Sequence, residues 1–249
     1  MAGHSKWANI QHRKGRQDKI RGKIFTRIGK ELTIAAREGG NPEFNPKLRL
    51  AIDKAKAANM SKDVMERAIK KGTGELEGVE YVEITYEGYG PAGVAFVVEV
   101  VTDNKNRSAS SVRSNFARND GNLGADGAVS WMFHKKGQII INKGTLDTDD
   151  FMMQALDAGA EDIAEENGKF VITTEFSEFM NVKENLEKEG FLIESAELTM
   201  IPENNVEITD EEMATKVLKL YEALEENEDV QNIYANFEIS DEIMEKIDN

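Results

Sequence analysis

The chain has 249 residues, 40% of them hydrophobic and 31% charged, with a formal net charge of −15 and no cysteine. This composition excludes wholesale disorder, collagen-like repeats and an integral membrane protein, and the lack of cysteine excludes disulfide scaffolds, thiol nucleophiles and cysteine-type zinc sites. A chain of this length predicts two or three compact units.

The longest uninterrupted apolar run, Val94 to Val98, is far below the ~20 residues needed to cross a bilayer, and the first seven residues place no apolar stretch behind their charge, so no secretory signal is expected. The charge is divided unevenly. Residues 1–74 carry eighteen Lys/Arg against seven Asp/Glu, and the remainder carries thirteen against thirty-nine. A basic first third on an acidic body points to a polyanion-binding head, with the body repelling nucleic acid except where the head docks.

Residues 1–17 show no periodicity and are dense in Lys, Arg, His, Asn and Gln, which predicts an extended arm. Ile20, Ile24, Ile28 and Leu32 then recur at steps of four and predict a helix over 18–38, ended by Gly39-Gly40. Asn45-Pro46 opens a second helix as cap and first residue, Ser61 caps a third that closes at Gly72, and Gly72-Thr73-Gly74 reads as a linker. Strands are expected over 80–86 and 94–101, a helix over 108–119 and a strand near 128–133.

Residues 137–199 show their own complete order: strand 137–142, helix 148–158, strands 161–166 and 169–173 joined by an Asn167-Gly168 hairpin, helix 177–189 and strand 191–199. This is a βαββαβ unit in the ferredoxin-like order. Thr209 and Glu212 suggest a capping box for a helix over 210–225, with strand 230–238 behind it and a frayed polar end. A lone terminal αβ pair needs a sheet to join, and the ββαβ block at 79–133 lacks one. The expected fold is therefore α+β with three domains: a basic helical head at 1–74, a discontinuous α/β domain at 75–136 and 201–249, and an inserted ferredoxin-like domain at 137–200.

The candidate nucleic-acid contacts are His4, Lys6, Trp7, His12, Arg13, Lys14, Arg16, Lys19, Arg21, Lys23 and Arg27. Lysine and arginine neutralise phosphates, and Trp7 is the one arm aromatic able to stack on an unpaired base or, equally, to staple the arm onto the helices. Lys105 and Arg107, at a strand-to-helix junction, form a secondary candidate for phosphate, although capping by Asn106 or Ser108 explains the same residues. Asn122 to Gly127 is glycine-rich but matches neither a Walker loop nor a dinucleotide fingerprint. No acid/base pair or nucleophile constellation stands out, so no catalytic residue, metal or cofactor is expected.

Several segments together carry a resemblance: Ala2 to Ile10 (AGHSKWANI) with His12-Arg13-Lys14, Ala35 to Gly39, Arg49 to Ala55, Glu66 to Gly74, Tyr86 to Pro91, Asn122 to Gly127, Ala196 to Pro202 and Asp229 to Ile233. The chain resembles the YebC family over nearly its whole length. That resemblance implies a three-domain cytoplasmic protein with a helical N-terminal domain and two α/β domains. It also implies either a DNA-binding transcriptional regulator, the label the family has long carried, or a translation factor. Mitochondrial relatives are translational activators of a cytochrome oxidase subunit, and bacterial members are described as ribosome-associated factors that relieve stalling at proline runs. The expectation is a non-enzymatic, monomeric regulator of gene expression that binds ribosomal RNA, with DNA as the alternative partner and no membrane or small-molecule substrate.

Overall fold

The computed structural model of the chain describes residues 17–248. It packs as two compact units, one spanning 131–205 and the other built from the described residues on either side of that segment. The three N-terminal helices thus share a unit with the sheet that follows them, and the inner segment begins and ends somewhat outside the 137–200 suggested by its periodicity.

In the discontinuous unit, α1 (Gln17–Ala35) runs on into a short 3-10 turn, Ala36–Glu38. Ile28, Leu32 and Ala35 form its buried stripe and meet Leu48, Ala51 and Ala55 of α2 (Pro46–Ala57) and Ala68 of α3 (Lys62–Thr73). Asn45 starts α2 by accepting the Leu48 N–H at 3.0 Å, and its amide donates to the carbonyls of Ala35 and Gly39. One buried side chain thereby caps one helix and closes the other. Gly72 does not belong to a linker. It lies inside α3, where a Cβ would fall 2.2 Å from the Thr33 carbonyl oxygen, and the helix ends instead on Gly74 at φ 82.

Strands β1 (Val82–Tyr89) and β2 (Ala95–Thr102) pair antiparallel, followed by α4 (Lys105–Arg118) and the two-residue β3 (Asn122–Leu123). The strand expected at 128–133 does not form, because the Val129 N–H is spent on the Glu87 carboxylate and its side chain is buried as a loop anchor. After the inner unit come β8 (Val206–Ile208), α7 (Glu211–Glu225), β9 (Val230–Ala235), β10 (Phe237–Ile239) and α8 (Asp241–Asp248). The sheet order is β3-β1-β2-β9, and Phe116 of α4 meets Phe96 of β2 edge-on at 6.0 Å. The single strand expected over 230–238 breaks at Asn236, whose side chain accepts the Ala95 N–H at 2.7 Å, and β10 then pairs parallel with β8. Asp210, rather than Thr209, caps α7. The end of the chain is not frayed over α8, where Ile243 and Met244 are buried.

The inner unit contains β4 (Phe133–Asn142), α5 (Thr148–Asp157), β5 (Asp162–Glu166), β6 (Lys169–Glu175), α6 (Phe179–Lys188) and β7 (Ile193–Pro202). Its sheet order, β5-β6-β4-β7 with every pair antiparallel, is that of a ferredoxin-like βαββαβ unit. Asn167 and Gly168 both take positive φ, as a two-residue turn of the hairpin type requires. Phe151 of α5 stacks on Phe170 of β6 at 4.1 Å and anchors the core together with Ile139, Ile141, Ile172 and Leu186.

Candidate nucleic-acid interface

Of the residues singled out in the arm, His4, Lys6, Trp7, His12, Arg13, Lys14 and Arg16 lie outside the described residues, as do the side chains of Lys19 and Arg21. The next three cations of α1 face inward. Lys23 donates to the Glu226 carbonyl at 3.3 Å, Arg27 to the Glu225 carbonyl at 2.6 Å, and Lys30 to the carbonyls of Val101 and Glu228 at 2.9 Å each. Helix α7 has no basic residue in its own last turn, so α1 supplies the cations that its carbonyl end attracts. Burial lowers the Arg27 pKa from its ordinary value, and Glu225 opposes that shift. The structure therefore gives Lys23 and Arg27 an intramolecular task. Periodicity carries no trace of it, because the partners lie 203 and 198 positions away.

Asp229 is the centre of this junction. Its carboxylate accepts from Lys30 at 3.0 Å, from the Thr102 hydroxyl at 3.0 Å and from Arg107 at 2.9 Å. Burial works against the Asp229 charge, but the hydrogen bonds from Arg107, Lys30 and Thr102 outweigh it and hold the carboxyl below its ordinary range. Arg107 also donates to Asp103 at 2.6 Å, and these two acceptors raise its pKa further. Helix α4 is capped by Asn104, which accepts the Arg107 N–H at 3.0 Å, not by Asn106 or Ser108. Lys105 is exposed and has no ion-pair partner among the described residues.

The head keeps other cations in solvent. Lys47, Lys54 and Lys62 pair with Glu38, Glu31 and Glu66, whereas Lys56, Arg67, Lys70 and Lys71 have no such partner among the described residues. Phe44, in the loop before α2, is 85% exposed and could stack on a base, a capacity that its place in the sequence does not reveal. Helices α2 and α3 are joined by the short segment 58–61, in which Asn59 takes φ 58. The exposed start of α3, however, carries Asp63 and Glu66 beside Lys62, so it presents mixed charge to any phosphate backbone.

The glycine-rich loop already holds an anion, and it is internal. The Glu87 carboxylate accepts the N–H groups of Gly127 at 2.9 Å, Val129 at 2.8 Å and Ser130 at 2.8 Å. Burial opposes the Glu87 charge, but these backbone donors prevail and hold its pKa below the ordinary value. A depressed carboxyl contributes stability above its unfolded pKa and loses it as pH falls through the folded one. Melting of the native chain should therefore drop steeply below about pH 4, and Glu87→Gln should lower the melting temperature at pH 7 while flattening that acid limb. An unchanged acid limb in the variant would show that the loop does not depend on the charge.

Among the described residues no group of three or more His, Asp or Glu is placed to hold a metal ion, and no helix is long and apolar enough to cross a membrane. Comparison with known proteins decides the family. Residues 5–75 match the TACO1/YebC protein N-terminal domain, and residues 81–237 match the TACO1/YebC second and third domain. The chain belongs to the TACO1/YebC family. A TACO1/YebC relative from Fusobacterium nucleatum is 65% identical over the full length of both chains, and one from Halothermothrix orenii is 54% identical over 99% of each. Both are named probable transcriptional regulatory proteins. A crystal structure from Aquifex aeolicus, described as a conserved hypothetical protein, matches with a TM-score of 0.87 at 49% identity and covers 96% of this chain and 99% of its own. The TACO1/YebC fold is thus shared across nearly the whole length.

Proposed function

We propose that this protein is a non-enzymatic regulator of gene expression that binds nucleic acid through its basic head, acting as a translation factor on ribosomal RNA. The observation that carries the reading is the concentration of cations in the first third of a chain whose remainder is strongly acidic. The arm cations Lys6, Arg13, Lys14 and Arg16 lie outside the described residues, and among the described ones Lys56 of α2 and Arg67, Lys70 and Lys71 of α3 are exposed without an ion-pair partner, so the candidates are not confined to one recognition helix. That distribution suits a folded RNA, where phosphates come from several directions and unpaired bases can stack on Trp7. The acidic body then faces solvent or basic ribosomal proteins.

The second reading is a DNA-binding transcriptional regulator. The names of the relatives favour it. Asp63 and Glu66 at the start of α3 weigh against insertion into a major groove, where the first residues of a recognition helix meet base edges.

Co-sedimentation of the full chain with ribosomes, alongside binding to defined DNA duplexes, separates the two. The wild type is expected to co-sediment in a salt-sensitive manner, and the full-length Arg13→Glu/Lys14→Glu/Arg16→Glu variant should lose that association without losing thermal stability. A duplex site bound at least ~10³-fold more tightly than random DNA at physiological salt, with no ribosome association, would transfer the assignment to transcription.

A further inference from the structure

Helix α5 of the inner unit exposes two large apolar side chains, Met153 at 59% and Leu156 at 54%, whereas α6 beside it in the chain exposes none. At about 100° per turn of one residue, Met152, Leu156, Asp149, Met153, Asp157 and Asp150 fall in that order within an arc of about 160°. The centre of that arc lies opposite Phe151 and Ala155, which are buried in the core. The outer face of α5 is thus one continuous surface, with half-buried Met152 and exposed Met153 and Leu156 set among three exposed aspartates. No lysine or arginine occurs in the helix.

Helix stability does not explain this face. Asp149 and Asp150 stand in the first turn, where an acid suits the positive end of the helix, and Asp147 caps that end by accepting their N–H groups at 3.0 and 3.1 Å. Asp157, however, stands in the last turn, where the carbonyl end disfavours an acid and where no basic residue offsets it. Nor does the rest of the unit neutralise the aspartates. Residues 131–205 carry six lysines against sixteen Asp/Glu. Lys136, Lys143, Lys169 and Lys183 are paired with Glu161, Glu165, Glu194 and Glu187. Asp149, Asp150 and Asp157 have no ion-pair partner among the described residues. An apolar centre bounded by unneutralised carboxylates is complementary to one kind of surface, an apolar stripe bordered by cations.

We infer that the outer face of α5 docks an amphipathic, lysine- and arginine-rich helix of another protein. Met153 and Leu156 receive the apolar stripe of that helix, and the thioethers of Met152 and Met153 adapt to its side chains. Asp149 and Asp150 meet its cations at one end of α5 and Asp157 meets them at the other. A second copy of this chain is a poor occupant, because it would set three further aspartates against these three. This protein-docking role is independent of nucleic-acid binding by the head, so its failure in the test below leaves that reading untouched.

The probe is a fluorescent helix-forming peptide made only of leucine and lysine, with leucines at i, i+3, i+4 and i+7, titrated into the full-length chain across a salt series. A peptide of the same composition, scrambled so that no apolar face forms, is the control for general attraction to an acidic protein. Met153→Gln/Leu156→Gln keeps every charge and alters only exposed positions, so this variant should melt with the wild type. It is expected to bind the amphipathic peptide about tenfold or more weakly. Asp149→Asn/Asp150→Asn/Asp157→Asn keeps the apolar centre and should bind it more weakly with a shallower salt dependence. Wild-type affinity in either variant overturns the proposal, as does a scrambled peptide that binds as tightly as the amphipathic one. If Arg13→Gln/Lys14→Gln/Arg16→Gln raises the affinity for the peptide, the chain's own arm covers the face and an external partner is overturned. A concentration-dependent dimer of the wild type that Met153→Gln/Leu156→Gln abolishes overturns it in favour of a second copy.

Discussion

Replacing Asp229 by alanine is expected to cost about 3–5 kcal/mol of stability, because it breaks a buried ion pair and leaves the opposite charge in place. Lys30 and Asp229 are each 9% exposed at the side chain, so little water is available to replace a missing partner. In the variant the Lys30 ammonium keeps only the carbonyls of Val101 and Glu228. The Thr102 hydroxyl and the Arg107 guanidinium lose this acceptor as well. Asp229→Asn, which retains an acceptor for Lys30 but not the charge, should lose less. Lys30→Met combined with Asp229→Leu should lose much less than the sum of the single changes, since no charge is then stranded. Urea denaturation of the full chain measures all of these. A loss below about 1 kcal/mol for the alanine variant would place the junction among solvated surface pairs. The depressed Asp229 carboxyl adds a pH signature of its own. Its stabilisation is complete above the ordinary aspartate range and disappears as pH falls through and below it, so the gap between wild type and variant should close in acid.

Gly72→Ala is expected to destabilise the head by about 2 kcal/mol, against the usual sign for this substitution. Inside an exposed helix, glycine to alanine is worth up to about 1 kcal/mol of stabilisation. At Gly72 the added Cβ would meet the Thr33 carbonyl oxygen at 2.2 Å and the Ala36 Cβ at 2.7 Å, and neither is the end of a flexible side chain. Helices α1 and α3 would have to separate, stretching the bond from the Thr33 hydroxyl to the Ala68 carbonyl. Gly29→Ala is the internal control. It lies in α1 with nothing within 4 Å of its missing Cβ, and it should stabilise by up to about 1 kcal/mol. If both variants shift the melting temperature in the same direction, the close crossing at Gly72 does not constrain the head.

Local chemistry determined much of this protein before any tertiary contact is considered. The four-residue spacing of Ile24, Ile28 and Leu32, the Asn45-Pro46 start of α2, the Asn167-Gly168 turn and the order of elements from β4 to β7 all depend on interactions within a few residues, and each is visible in the chain. The charge contrast between the first third and the rest is likewise a property of the sequence alone. Tertiary structure decided what each charge does. Lys23, Arg27 and Lys30 belong to the same basic stretch as the arm, but the turn after α7 claims them from about 200 positions away. Arg107 and Glu87 look like free charges in their own segments and become, respectively, a tie to Asp229 and the anchor of the glycine loop. Ile243 and Met244 sit in a polar tail by composition and are buried only because α8 packs on α7. The physical reason is common to all of these. A helix or turn is specified by neighbours in sequence, whereas the partner of a charge is specified by whichever distant carbonyl or carboxylate the fold carries to within about 3 Å, and no periodicity encodes that distance.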